Sequence, residues 1–404
     1  MHAAKVLQKC LPAVFQAMHA YRARALIGAV QALLLGRRLI LMELARSWPG
    51  AERVRAPLKR LDRLLANGHL AIERESIYAA MLCWLIRQPH PLLLIDWSDL
   101  HADCRWQLLR ASVPLAGRAF TIFEMVFPES MKGSPRAEKK FLKRLHALMP
   151  THIVPIRVTD AGFRAPWFRA VAKLGWYYVG RMRGRTRLQV KDGEWFDNRE
   201  LYGEISRHPK RIADVRMVES NPYRVDLVVY RKPRRHRTRL SVRRGTKSRE
   251  PASIEAQRRE SEPWLLVVAP ALRHLQPRQL VAIYAKRMQI EQSFRDLKCD
   301  RYGCAFKFSQ TRIKERIAIL LLIHALATFV AWLAALTLAL TAQVRYGGVT
   351  SSMRTRPHYS RMRIAWTALQ RGDQQCTVND LYAAFKRPPP EFLSLLQIPT
   401  GLSL

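Results

Sequence analysis

The sequence predicts an α/β fold with a mixed sheet at its centre and helical regions on either side of it. Between residues 91 and 182, short apolar runs of strand length alternate with amphipathic helical segments. Residues 1–88 and the region after residue 276 instead carry apolar residues at helical spacing. Because 404 residues are many for a single core, we expect several domains.

Residues 1–88 are predicted to form a helical N-terminal domain. Pro57 opens the segment PLKRLDRLLANG, whose leucines repeat at helical spacing and which stops at Asn67–Gly68. Three basic residues lie off the leucine stripe, namely Lys59, Arg60 and Arg63. Two helices joined by a short turn, with the second one basic, suit a helix-turn-helix that docks on DNA. A basic helix face exposed to solvent would give the same pattern.

Residues 89–183 are predicted to form the first part of the α/β core. The run PLLLIDW at 91–97 is typical of a buried strand that ends just after Asp96. The predicted elements that follow are strands at 106–113 and 119–127 joined around Ala116–Gly117, a helix at 134–149, a strand at 152–158, a helix at 166–174 and a strand at 176–182. This order matches the ribonuclease-H-like core of polynucleotidyl transferases. It places Asp96 and Asp160 at the C-terminal ends of strands, where open α/β sheets hold their ligands.

The rest of the chain is predicted in three parts. Residues 184–275 form a β-rich insertion in the core, and its stretch Arg231–Arg249 contains ten Arg or Lys and no acid. Residues 276–345 supply the second part of the core. Residues 346–404 form a helical C-terminal region.

The charge of the chain points to a polyanionic partner. The sequence has 69 Lys and Arg against 31 Asp and Glu, a formal net charge of +38. Such an excess disfavours a compact state unless an anion neutralises it, and nucleic acid is the leading candidate. Six scattered cysteines without metal-type spacing suit a reducing cytosol, and we expect no signal peptide. Charge identifies the partner but does not distinguish an enzyme from an architectural binder.

One segment suggests a membrane span instead. Residues Ile317–Leu340 contain no charged side chain over 24 positions, which is long enough to cross a bilayer. The alternative is a helix buried on all sides in a globular core. His324 lies inside the run and the cluster Lys314–Glu315–Arg316 leads directly into it. We therefore predict a buried helix and no membrane.

A third carboxylate lies on a segment predicted as one helix, QPRQLVAIYAKRMQIEQSFRDLK at 276–298. At about 100° per residue, four polar residues fall within an arc of about 60°. They are Tyr284, Arg287, Glu291 and Lys298. An aromatic hydroxyl, a guanidinium, a carboxylate and an ammonium group would thus share one strip, beside an apolar face that can pack on the sheet.

These residues resemble the Y-R-E-K signature of the IS-four family of transposases, and within it the branch of transposon ten. Further matching blocks are IDWSD at 95–99, VTDAGF at 158–163, EPWLL at 262–266 and KRMQIEQSFRDLK at 286–298. The resemblance implies that Asp96, Asp160 and Glu291 are the catalytic DDE triad. It implies two Mg²⁺ ions per active site, replaceable by Mn²⁺, for which carboxylate oxygens are the preferred ligands.

The resemblance also implies a route and a set of DNA contacts. Relatives nick one strand with water, close the transposon end into a hairpin and later join it to target DNA. Trp264 matches the family's base-stacking tryptophan, and Met288 matches the position that fills the space left by the flipped base. Tyr284, Arg287 and Lys298 would hold phosphates. A core tryptophan on a strand is the alternative for Trp264.

The implied partner is double-stranded DNA, both the terminal inverted repeats and the target. A homodimer in the synaptic complex, a cytoplasmic nucleoid-associated location and no small-molecule substrate are expected with it. Two other functions stay open: a non-transposing nuclease of the same fold, and a DNA-binding regulator derived from a transposase.

Overall fold

The computed structural model describes residues 3–115, 117–233, 255, 262–338, 345, 359–373 and 376–387. Within them the chain divides into two compact units. Unit 1 comprises residues 3–153 and 288–387, and unit 2 comprises residues 154–287. The predicted α/β class is confirmed, because each unit combines strands with helices.

Unit 1 is mainly helical and contains a three-stranded antiparallel sheet. Its helices are α1 Ala3–Cys10, α2 Pro12–Ala17, α3 Ala20–Gly36, α4 Leu41–Arg46, α5 Arg55–Leu65, α6 Gly68–Leu85, α7 Pro135–Leu148, α10 Met288–Lys298, α11 Lys314–Thr337, α12 Arg361–Arg371 and α13 Val378–Lys386. Its strands are β1 Leu92–Asp99, β2 Trp106–Leu115 and β3 Arg118–Pro128, with β2 between the other two. Gly117, at φ +82°, takes the left-handed turn that joins β2 to β3, where the sequence predicts a hairpin.

The apolar segment forms α11, and the structure confirms it as a core helix. It is long and apolar enough to cross a membrane by length and composition. Yet 89% of its apolar window is buried within the chain, where it packs against α3, α12, α13 and β3. Burial by the chain's own helices removes this surface from any outside solvent, as the hydrophobic effect requires.

Helix α5 begins at Arg55, two residues before the predicted start at Pro57. Its apolar stripe is buried, while Lys59, Arg60 and Arg63 are exposed. Asn67, predicted as a stop signal, also caps the N-terminus of α6. Its side-chain oxygen accepts a hydrogen bond from the Leu70 N–H at 2.9 Å.

Unit 2 is built on a mixed sheet. The strands are β4 Ile156–Thr159, β5 Tyr177–Met182, β6 Arg187–Val190, β7 Phe196–Asp197, β8 Lys210–Met217, β9 Tyr223–Tyr230 and β10 Trp264–Val268. They lie in the order β4-β5-β10-β9-β8-β6-β7, parallel between β4 and β5 and antiparallel elsewhere. Helices α8 Ala165–Lys173 and α9 Pro277–Ala285 accompany them.

The predicted insertion continues the sheet of unit 2, because β10 pairs with β5 and β9 pairs with β10. Strand β8 was not predicted, since its charged residues (KRIADVRM) hide the alternation that marks a strand. The basic stretch Arg231–Arg249 lies outside the described residues after residue 233.

The predicted single helix over 276–298 is wrong, because it divides into α9 and α10 at Lys286–Arg287. The N–H groups of Lys286 and Arg287 bond to carbonyls three residues back, which tightens and ends the first helix. Helix α9 packs on β4, β5 and β9, whereas α10 packs on β1, β2 and β3. Each segment thus buries its own apolar residues on a different set of strands.

Candidate active site

Asp96 lies inside β1, three residues before its end, and not at the end where the sequence places it. Its side chain is buried and its Oδ1 accepts a hydrogen bond from the Trp97 N–H at 2.8 Å. In the strand register Asp96 stands opposite Arg110 on β2. The carboxylate is therefore held in a fixed direction on a buried strand.

Lys298 joins the end of α10 to β1. Its Nζ donates to the Ser98 hydroxyl at 2.8 Å and to the Asp99 carbonyl at 3.1 Å. Ser98 lies two residues after Asp96 and so on the same face of the strand. Burial lowers the pKa of the Lys298 ammonium, while Asp99 and Asp96 act to raise it. The Lys298 ammonium therefore interacts electrostatically with the Asp96 carboxylate.

Glu291 lies in the first turn of α10 and is half-buried. It stands seven residues before Lys298, so the two side chains share a helix face about two turns apart. The opposite face is fastened to β3. There the Ser293 hydroxyl accepts from the Ala119 N–H at 2.9 Å and donates to its carbonyl at 2.7 Å, and Asp296 pairs with Arg118 at 2.6 Å. The Glu291–Lys298 half of the predicted strip therefore survives the break in the helix.

Asp160 directly follows β4, as predicted. Its Oδ1 accepts a hydrogen bond from the Gly162 N–H at 2.8 Å. A Cβ at residue 162 would lie 3.0 Å from that same oxygen, so glycine leaves room for the carboxylate to close this turn. A backbone N–H therefore orients the Asp160 carboxylate, as one orients Asp96.

In unit 2, Tyr284 and Trp264 form an aromatic pair with ring centroids 4.8 Å apart, edge to face. Burial raises the pKa of the Tyr284 hydroxyl, and the nearby Arg287 and Arg181 act to lower it while Asp160 acts to raise it. Trp264 is half-buried, with the ammonium of Lys232 5.7 Å from its ring centroid. Tyr284, Arg287 and Trp264 therefore form one neighbourhood with Asp160.

The remaining predicted DNA contacts are at the surface. Met288 is the first residue of α10 and is 50% exposed. Lys59, Arg60 and Arg63 project from α5 on the side away from its buried leucines.

Sequence reasoning missed two groups of residues. Ser98 sits within the IDWSD block, and its position two residues after Asp96 was the available signal. The second group is a set of arginines beside Asp160, around a cavity of about 590 Å³ next to Ala161. They are Arg164, Arg181, Arg183 and Arg185. Alternating arginines in GRMRGR at 180–185 were the signal there.

The chemistry of the three carboxylates fits a divalent ion, since hard oxygen donors are what Mg²⁺ prefers. Asp96 and Glu291 lie in unit 1, and Asp160 lies in unit 2. Among the described residues, no three His, Cys, Asp or Glu side chains are already grouped so that they could hold a metal ion. The donor set fits the ion by residue type, and hydrogen bonds to backbone N–H groups fix the direction of Asp96 and Asp160.

Residues 87–328, more than half of the chain, match the family model described as transposase DDE domain. This range contains all three carboxylates, and the protein is accordingly a metal-dependent polynucleotidyl transferase. More particularly, the chain belongs to the DDE transposase family.

No curated protein sequence is significantly similar to this chain. Among solved structures it is similar to the cryo-EM structure of a piggyBac transposase synaptic complex with hairpin DNA, at 12% identity and a TM-score of 0.39. That likeness covers 96% of this chain and 83% of the other, and at this level it carries no functional conclusion.

Proposed function

We propose that this transposase cuts and pastes DNA, excising an insertion sequence through a hairpin intermediate and inserting it into target DNA. The observation that carries the proposal is the contact of Lys298 with Ser98, which ties the helix of Glu291 to the strand of Asp96. It supports a shared role for these residues within a ribonuclease-H-like core of the IS-four type. We also propose the five domains predicted from the sequence, with boundaries at 1–88, 89–183, 184–275, 276–345 and 346–404.

Asp96, Asp160 and Glu291 would hold two Mg²⁺ ions, or Mn²⁺ in their place. Such ions, when bound, activate the attacking oxygen and stabilise the leaving oxygen of an in-line displacement. Lys298 would place its ammonium beside the scissile phosphate, and the arginines next to Asp160 would bind phosphates along the strand. The protein would act as a homodimer on terminal repeats, in the cytoplasm and close to the nucleoid.

Hairpin closure requires a base to leave the stack and a ring to receive it. Trp264 is suited to receive the displaced base, because its ring is half-buried beside Tyr284 and is not enclosed in the core. Met288 would fill the gap in the duplex, since it exposes an apolar side chain next to Arg287. Tyr284 and Arg287 would steady the phosphate of the displaced nucleotide.

We predict that Trp264→Ala separates nicking from hairpin formation. Stacking on an aromatic side chain contributes about 1–3 kcal/mol per base, so hairpin product should fall roughly 10- to 100-fold while nicking continues. The assay uses end-labelled duplexes of the DNA that flanks the coding region, with Mg²⁺ or EDTA, resolved on denaturing gels. Trp264→Phe keeps a ring and should restore most of the hairpin.

The same assay separates the proposed function from its alternatives. A nuclease would nick flanking DNA with Mg²⁺ but would give no hairpin and no joined product. A regulator would bind the DNA without any cleavage. Equal hairpin yields from wild type and Trp264→Ala would remove Trp264 from the mechanism.

The basic face of α5 is proposed to bind the DNA backbone. Lys59, Arg60 and Arg63 are exposed together on one side of a helix whose other side is buried. Each phosphate contact adds about 0.9 to the slope of log affinity against log salt concentration.

We therefore predict that the triple variant Lys59→Gln, Arg60→Gln, Arg63→Gln lowers that slope by about 2 to 3. Binding to flanking duplexes is measured by fluorescence anisotropy over a salt series. A matched control removes three exposed lysines of α7, Lys139, Lys140 and Lys143, and should leave the slope near that of wild type. An unchanged slope in the α5 variant would contradict the interface.

A further inference from the structure

Unit 1 contains a cavity of about 420 Å³ beside α10, which contributes Ser293 and Asp296 to its lining. Five arginines and a single carboxylate line it: Arg37, Arg110, Arg118, Arg295, Arg363 and Asp296. None of Asp96, Glu291 and Lys298 is among the residues that line it. The cavity is therefore distinct from the candidate active site, and its size falls within the usual range for small-molecule sites.

The charges around this cavity are incompletely balanced. Asp296 pairs with Arg118, and Arg110 pairs with Glu124, which lies outside the lining. Within the described residues, no carboxylate lies within salt-bridge distance of Arg37 or Arg363. Burial lowers the pKa of the Arg37 guanidinium and Arg363 lowers it further, while Cys304 and Asp296 act to raise it. Arg37 and Arg363 therefore lie close to each other, and the carboxylate that acts on Arg37, Asp296, is already paired with Arg118.

The buried polar atoms of the lining are mostly hydrogen-bond donors. Arg110 is fully buried, and its Nη1 and Nη2 have no hydrogen-bond partner among the described residues. The same holds for Trp332 Nε1 and Arg363 Nη1, and these atoms can only donate. His324 Nδ1 is also without a partner there, and burial together with Arg110 lowers the pKa of this imidazole to about 3. Donors cannot satisfy one another, so this lining favours a ligand that brings acceptor atoms.

The mouth of the cavity is aromatic. Tyr302 and Tyr359 are both more than a third exposed, and the Arg363 guanidinium lies 5.4 Å and 4.8 Å from their ring centroids. Arg363 therefore stands between the exposed rings and the buried donors, where it can meet a charged group entering from solvent.

We propose that this cavity is a binding site for a small phosphate-bearing anion. Phosphate supplies several strong acceptor oxygens and the negative charge that the guanidinium groups lack. The ligand would contact Arg110, Trp332 and Arg363 directly. Because α10 forms one wall of the cavity through Ser293 and Asp296, an occupied site would stabilise the helix that carries Glu291.

The test is thermal unfolding of the full-length protein without DNA, with orthophosphate replacing chloride at constant ionic strength. A ligand that binds only the folded state raises the unfolding temperature with its concentration. We expect saturable stabilisation of wild type and, for Arg363→Gln, an affinity lowered about tenfold or more. Trp332→Phe removes one donor and keeps an aromatic ring, so it should weaken phosphate binding to a smaller extent.

Arg361→Gln is the matched control, because Arg361 lies on the same helix and is exposed. A chain of this charge binds anions over its whole surface, and such binding would stabilise Arg361→Gln and Arg363→Gln equally. That equality, or no stabilisation of wild type beyond chloride, would overturn the site. A parallel titration with a 5′-phosphorylated dinucleotide identifies the source: stabilisation by orthophosphate indicates a free anion, and stabilisation by the dinucleotide alone indicates a strand end.

Discussion

Replacement of Asp96 by Asn is expected to abolish strand cleavage and to leave the fold intact. Asn keeps the side-chain oxygen that accepts the Trp97 N–H, so the buried strand is preserved. It removes the negative charge that a divalent ion requires from its ligand. We expect cleavage to fall by about 10³-fold or more, which is typical when one group that stabilises the transition state is lost.

Asp160→Asn and Glu291→Gln should behave in the same way. Asn at 160 can still accept the Gly162 N–H, so its turn should be retained. Cleavage of flanking duplexes with Mg²⁺ and with Mn²⁺ is the measurement, and circular dichroism verifies folding. Glu219→Gln is the matched control, since Glu219 forms an exposed pair with Arg187 at 3.2 Å and the variant should cleave at nearly the wild-type rate. Cleavage retained by any one of the three variants would remove that residue from the triad.

Glu124→Gln is expected to destabilise the protein by about 3–5 kcal/mol. Glu124 and Arg110 pair at 2.7 Å with both side chains fully buried, and the Tyr78 hydroxyl donates to the same carboxylate at 2.8 Å. Removing the carboxylate charge leaves a guanidinium buried without its counter-charge. In the low-dielectric interior this cost is large, because water cannot solvate the ion.

A combined replacement tests whether the lost stability comes from the unpaired charge of the buried Arg110 guanidinium. A triple variant removes all polar groups of this buried network: Arg110→Met, Glu124→Leu and Tyr78→Phe. We expect it to recover most of the stability that Glu124→Gln loses. Urea unfolding in phosphate-free buffer gives the free energies. Asp99→Asn breaks an exposed pair of similar length and should cost about 1 kcal/mol or less. A cost for Glu124→Gln as small as that of Asp99→Asn would contradict the prediction.

The two predictions concern neighbouring positions of one sheet. Asp96, Arg110 and Glu124 stand side by side across β1, β2 and β3. The Glu124 carboxylate forms an ion pair with Arg110, whereas the Asp96 carboxylate accepts a hydrogen bond from the Trp97 N–H. The register of the sheet thus decides which acid is structural and which one can serve as a metal ligand.

The sequence alone was sufficient for the α/β class, the five strands predicted between residues 91 and 182, the buried helix α11 and the position of Asp160 after β4. These features depend on local periodicity, which is written into neighbouring residues. The spacing of Glu291 and Lys298 on one helix face was predictable for the same reason. The triad and the DNA-contacting residues stay predictions, supported by membership of the DDE transposase family.

Only the tertiary structure decided the features that join distant segments. It divided the helix at Lys286–Arg287, placed Asp96 within its strand, joined Lys298 to Ser98 and buried Arg110 with Glu124. Each of these features depends on contacts between segments that are far apart in the chain. Such contacts leave no periodic pattern in the sequence, so the sequence could not predict them. The sequence predicted the three carboxylates of the triad, and packing fixed the direction in which Asp96 and Asp160 point.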